Sequence, residues 1–314
     1  MKIVPEGRLV YGMQLPIQAQ STMFVEDWEK GAGGPELAAI AKKADETGFF
    51  YVAVCDHVAV PRRLAPAMGT TWYDTIATLG FLAGVTSRVR LLSHVWVAAY
   101  RHPLQSAKSF TTLDRLSDGR VIVGVGAGHV PEEFAALGVD FSRRGPLLDE
   151  AMEALDVALR EEFPSFSGPT WSAADGGIGP RPVQTPRPPI WVGGSSPAAL
   201  RRAGQRGDGW LPQGTPRKHM AEQVATVLQH RDRAGREDGI DIGTVCEFLY
   251  LGSPGWDVGR GVISGKPEEI AESLREFGAM GVDHLQVRFK SRSLRELLDQ
   301  MDSFGADVAP LLND

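Results

Sequence analysis

Apolar positions along the chain fall into two alternating patterns. Eight short runs rich in Val, Ile, Leu and aromatic residues, at 9–15, 50–55, 89–95, 120–125, 189–192, 209–212, 242–249 and 284–289, read as strands. Between them, at 35–47, 71–85, 103–116, 143–161, 197–205, 217–233 and 267–280, apolar residues recur at spacings of three and four and predict amphipathic helices. Start signals support several of these. Ser196-Pro197 and Lys266-Pro267 put proline at a first helical position, where its missing N–H costs nothing, and Glu268 and Glu269 place negative charge against a helix dipole. Gly48 and Gly281 fall just past helix ends, where a left-handed residue is wanted.

Strands that alternate with helices pair in parallel, and eight of them close most economically into a (β/α)8 barrel of the TIM type with insertion loops; a doubly wound open sheet is the rival. No shift in composition divides the chain, which predicts a single domain over residues 1–314. Two segments depart from the alternation. Residues 165–188 are rich in proline and glycine and residues 252–265 in glycine, so both are expected as long loops with a functional bearing.

Composition narrows the partners. With 43% hydrophobic and 23% charged residues the chain has the make-up of a soluble globular protein. Its net charge of −6 (33 basic against 39 acidic residues), with no block of one sign, argues against nucleic acid or an anionic membrane as main partner. Cys55 and Cys246 lie in separate apolar runs and make no disulfide framework. The opening residues lack the apolar core of a signal peptide, and no run approaches the roughly 18 apolar residues of a membrane span. The expectation is a cytoplasmic protein acting on a small molecule.

In such barrels the carboxyl ends of the strands build the active site. Those ends read Gln14, Asp56-His57, Ser93-His94, Gly126 to His129, Gly193 to Ser196, Gln213, Glu247, Tyr250, Arg288 and Lys290. His57 has a side chain suited to proton transfer near neutrality, although Asp56-His57 also reads as a cap with the ring turned outward. Gly126 and Gly128 let backbone approach a ligand; as a dinucleotide loop they come too late in the chain. Gly193-Gly194-Ser195-Ser196 joins a strand to a helix start, where free amides and the positive dipole end form an anion cradle; the plainer reading is a tight turn capped by Ser196. His57, His94 and His129 at successive strand ends raise a metal site. The expectation is against one, since the first strand offers no histidine pair and the eighth ends in Arg288-Phe289-Lys290, poor surroundings for a divalent cation. Trp96 and Trp210 are the tryptophans expected to line an aromatic pocket.

Several runs taken together resemble the luciferase-like monooxygenase family, and most of all its actinobacterial, F420-dependent oxidoreductase branch. They include Asp56-His57-Val58, Tyr100-Arg101-His102-Pro103, Leu113-Asp114-Arg115-Leu116-Ser117-Asp118-Gly119-Arg120, Gly124-Val125-Gly126-Ala127-Gly128, Pro189-Ile190-Trp191-Val192-Gly193-Gly194-Ser195-Ser196-Pro197 and Gly207-Asp208-Gly209-Trp210. The resemblance implies coenzyme F420, or alternatively FMN, across the barrel mouth. Its phosphate would meet Gly193, Gly194, Ser195 and Ser196, with Gly126, Gly128 and His129 close, and a cis peptide at His94–Val95, following Ser93, would support the ring. It also implies hydride transfer between the deazaflavin and a small organic substrate, for which His57 is the expected acid or base and Asp56 its orienting partner. The alternatives are an FMN-dependent monooxygenase using reduced flavin and oxygen, with a separate flavin reductase, and a flavin-binding protein without turnover. A homodimer is implied by the same likeness. His94 departs from the small residue common at its position, and His129 from an acidic one.

Overall fold

The computed structural model describes residues 1–22 and 24–313. Eight parallel strands, β1 (Val10–Gln14), β2 (Tyr51–Val54), β3 (Arg90–Ser93), β4 (Val121–Gly126), β5 (Ile190–Gly193), β6 (Gly209–Leu211), β7 (Asp241–Leu251) and β8 (His284–Phe289), hydrogen-bond each to the next. The β8–β1 and β6–β7 pairings complete the circle, so the (β/α)8 barrel is closed. Around it lie α1 (Gly34–Glu46), α2 (Thr75–Ala83), α3 (Pro103–Leu116), α4 (Arg144–Arg160), α5 (Pro197–Arg206), α6 (Arg217–Arg233), α7 (Pro267–Ala279) and α8 (Leu294–Ser303). Their apolar stripes, such as Leu37, Ile40, Ala41 and Ala44 of α1, bury against outward-facing strand residues including Val52, Val54, Val121 and Val123 in one continuous core. Gly48 and Gly281 take positive φ (80° and 89°) just beyond α1 and α7, as their positions predict.

The barrel interior is filled by large rings, which require small partners. Trp191 and His284 stack at 4.2 Å, with Tyr51 edge-on to both. A Cβ at Gly12 would stand 2.5 Å from the Tyr51 ring and one at Gly243 would stand 2.0 Å from the His284 ring. Burial pushes the His284 imidazole down to about 3, so it is a neutral core residue.

The third strand differs from its expected extent and ends at Ser93. The His94–Val95 peptide is cis, and the chain resumes as Trp96–Val97 alongside β4. Val95 is turned toward two neighbouring strands, where a Cβ at Gly126 or at Gly193 would lie 2.4 Å from one of its methyl groups. Those two glycines are therefore required by Val95, a different reason from close approach of a ligand. The helix expected over 71–85 starts later, because the Asp74 side chain accepts from the Ala77 amide at 2.8 Å and caps α2. Trp72, freed from that helix, bridges to Ala19 at the barrel mouth.

The two long loops are present. The first holds a short hairpin (Phe166–Ser167 with Ser172–Ala173) and is tied down by buried Asp114, which accepts from the Val183 and Gln184 amides at 2.7 and 3.1 Å. The second carries the short strand Ile263–Gly265 beside β7. Neither contributes a residue to the cavity described below, so their expected functional bearing is not met there. Among the described residues no helix is long and apolar enough to cross a membrane.

Candidate active site

A cavity of about 520 Å³ opens at the carboxyl ends of the strands, a volume in the range that takes a small-molecule ligand. Of the residues expected there from sequence, Asp56, His57, His94, Val95, Gly126, Gly128, His129, Gly193, Gly194, Ser195 and Ser196 all line it. Ser93 does not. Its hydroxyl is turned into the seam between β3 and β4, donating to the Gly124 carbonyl (2.9 Å) and accepting from the Gly124 amide (3.0 Å). The expected tryptophans are also elsewhere: the Trp96 indole donates to Ser106 and lies under Arg101, and Trp210 is wholly buried and donates to the Gly194 carbonyl. The rings that do line the cavity are Phe24, Trp28, Trp72, Tyr100, Phe248 and Phe289.

His57 follows β2 and packs against Trp72, ring centroids 4.3 Å apart. Its Nδ1 donates to Oε2 of Glu133 at 2.8 Å, which leaves Nε2 as the free nitrogen. The other oxygen of Glu133 accepts from the Val58 and Ala59 amides at 2.7 and 3.1 Å. Burial raises the Glu133 carboxyl, but His57 and the two amides outweigh it and hold the group below its ordinary value, so it stays ionised. The carboxylate that orients His57 is thus Glu133, and the expectation of Asp56 in that role is corrected. Asp56 faces away, receiving the Arg101 guanidinium through both oxygens (2.7 and 2.8 Å) and the Val97 amide at 2.9 Å. This fixes the segment after the cis peptide to the end of β2. The ring of His129 stands edge-on to His57 at 5.5 Å, and burial, followed by His57 itself, holds its pKa down. His94 is also kept neutral. Burial lowers it to about 4, and its Nε2 donates to the Leu211 carbonyl at 3.2 Å.

At the exit of β5 the Ser196 hydroxyl accepts from the Ala199 amide (3.3 Å) and caps α5, with Pro197 at the first turn. The backbone amides of Gly194, Ser195 and Ser196 donate to no group among the described residues. Arg144, at the start of α4, also lines the cavity and makes no ion pair among the described residues; its guanidinium stacks on Phe141 and donates to that residue's carbonyl. Three open amides, a dipole end contributing about 0.3–1 kcal/mol per charge and one cation make a fitting place for an anionic tail. Among the described residues no three His, Cys, Asp or Glu side chains gather as a metal-binding set.

A family model for luciferase-like monooxygenases matches residues 19–250. The chain belongs to the luciferase-like monooxygenase family. It is therefore an oxidoreductase by family. An uncharacterized protein of Mycobacterium tuberculosis is 33% identical over 216 residues, covering 65% of this chain and 76% of that protein. The F420-dependent glucose-6-phosphate dehydrogenase of Intrasporangium calvum is 27% identical over an alignment covering 92% of this chain and 98% of the relative. Among solved structures, the monooxygenase RslO1 of Streptomyces bottropensis superposes with a TM-score of 0.80 at 21% identity, covering 96% of this chain and 99% of that one. That last likeness bears on the fold.

In this luciferase-like barrel the sequence reading missed the working role of three groups. Glu133 lies one helical turn beyond His129, behind Pro131, and a carboxylate at the third position of a helix start was the available signal. Arg101 lies in a run that carried the family likeness, yet its pairing with Asp56 needs the turn after Val97. Arg144 gave no signal, since an arginine at a helix start opposes the dipole and reads as a surface charge.

Proposed function

We propose that the chain is an F420-dependent oxidoreductase acting on a small organic substrate. The observation that carries the reading is the row of open amides at Gly194, Ser195 and Ser196 beside Arg144, set in the same cavity as a histidine held by a buried carboxylate. The glucose-6-phosphate dehydrogenase relative, aligned over almost the whole chain, supports the choice of cofactor. When bound, a deazaflavin would supply or accept the hydride. The chain's own residues do the rest. The β5 amides and Arg144 receive the anionic tail, and Val95, packed over Gly126 and Gly193, forms a rigid apolar support for the ring. His57 moves a proton through Nε2 while Glu133 fixes its tautomer and balances the charge when both nitrogens are protonated. The aromatic wall excludes water and positions the substrate.

Membership of a family of luciferase-like monooxygenases keeps FMN-dependent monooxygenation, with a separate reductase, as the second reading; a homodimer is proposed with either. Separate titrations with coenzyme F420 and FMN, followed by fluorescence quenching, distinguish them. The expected result is tighter binding of F420, and oxidation of the reduced form under anaerobic conditions by a conjugated enone, an imine or a ketone. Tight binding of FMN alone, with turnover that requires oxygen, would select the second reading. A bound cofactor that never changes redox state across the panel would select a binding protein without turnover.

A further inference from the structure

The cavity wall away from the β5 amides carries a cation that the reading above leaves unused. Arg288, near the end of β8, lines the cavity. In the closed strand order β8 lies opposite β4 and three strands from β5, so Arg288 and the tail cradle occupy different sides of the mouth. Its Nη2 donates to Oε1 of Gln14, whose own amide nitrogen is engaged by the Cys55 sulfur at 2.8 Å. The Phe24 ring lies 4.5 Å from the centre of the guanidinium and the Phe248 ring 5.9 Å. Nothing acidic pairs with it among the described residues. Apart from Arg144, assigned above to the cofactor tail, the other cations at this mouth are answered: Arg101 by Asp56, Arg202 by Asp149, and Lys290 by Glu26 at 2.7 Å. Glu29, the other carboxylate lining this sector, is occupied by the amides of Ile17 and Glu26, each at 2.9 Å.

We propose that Arg288 is the substrate anchor, and that the cavity takes a small organic acid whose carboxylate pairs with the Arg288 guanidinium beside Gln14. This rests on the reading of the cavity as an oxidoreductase active site. A desolvated cation without a counter-ion is costly, and an incoming anion removes that cost while gaining charge-assisted hydrogen bonds. Gln14 takes one of the two Nη2 hydrogens, so one in-plane edge keeps both its donors, Nη2 with either Nε or Nη1, while Phe24 lies against the guanidinium. A planar carboxylate meets such an edge with two parallel bonds. The neighbouring rings suit an unsaturated or aromatic skeleton attached to that carboxylate.

The test is equilibrium titration of the protein, with and without F420, using crotonate and cinnamate, the corresponding amides, and phenyl phosphate. At least one acid should bind about tenfold or more tightly than its amide. Arg288→Met should abolish that preference without lowering Tm or F420 affinity, and Arg288→Lys should keep only part of it. Acids that bind no better than their amides to the unaltered protein would overturn the proposal, as would a preference that survives in Arg288→Met. A stronger, Arg288-dependent preference for phenyl phosphate would overturn the carboxylate assignment. If F420 fails to bind while the acid preference persists, the cofactor reading falls and the anchor stands; F420 binding without the preference removes the anchor alone.

Discussion

His57→Ala is expected to lower kcat by about 100- to 10,000-fold, the usual size of a general acid–base contribution, while leaving F420 affinity unchanged. The expectation follows from the pairing of Nδ1 with Glu133 at 2.8 Å, which presents Nε2 as the nitrogen able to exchange a proton in the cavity. Glu133→Gln should give a smaller loss, because its side-chain oxygen can still accept from the Val58 and Ala59 amides while the carboxylate that orients His57 is gone. Added imidazole should restore part of the turnover of His57→Ala and none of that of Glu133→Gln. Single-turnover rates under anaerobic conditions check this. Full activity in His57→Ala would remove the histidine from the chemistry.

The second large effect is on stability. Asp56→Ala leaves the half-buried Arg101 guanidinium and the Val97 amide without their acceptor, and removing one partner of a buried pair costs about 3–5 kcal/mol. For a chain of this length that is a fall in Tm of roughly 5–8 °C. The loss should be shared by Arg101→Met, and the double variant should lose less than the sum of the two. Thermal unfolding followed by circular dichroism decides it. An Asp56→Ala protein with unchanged Tm and a loss of turnover as large as that of Glu133→Gln would return Asp56 to the role of orienting His57.

The barrel was legible because parallel strands covered on both faces read as unbroken apolar runs, as in Val121–Gly126, and because proline and glycine mark where the helices begin and end. All eight strands fall on the runs that the pattern marked, the third ending early at Ser93, and the mouth gathers most of the expected cavity residues, though not Ser93, Glu247, Tyr250 or Lys290. What stayed hidden depends on direction and on distance along the chain. Asp56 and His57 are neighbours, yet past a strand end successive side chains diverge, and the partner of His57 comes from 76 residues away. Ser93 sits at a strand end by sequence, but its hydroxyl is spent on the backbone of Gly124 in the neighbouring strand. Gly126 and Gly193 carried the right signal for a different reason, since the space their Cβ atoms would fill belongs to Val95. Trp72 fitted a helical spacing until Asp74 claimed the cap. Arg288 was visible as a charge at a strand end, but that it lacks a counter-ion is a property of three-dimensional packing.

The amides leaving β5 are expected to hold the anionic tail of a redox cofactor. A crystal structure of the protein grown with coenzyme F420 tests it most directly. The expected result is phosphate oxygens within hydrogen-bond distance of the Gly194, Ser195 and Ser196 amides and the deazaflavin ring resting on Val95. Cofactor bound with its phosphate away from these amides, or affinity for neither F420 nor FMN in solution, would contradict it.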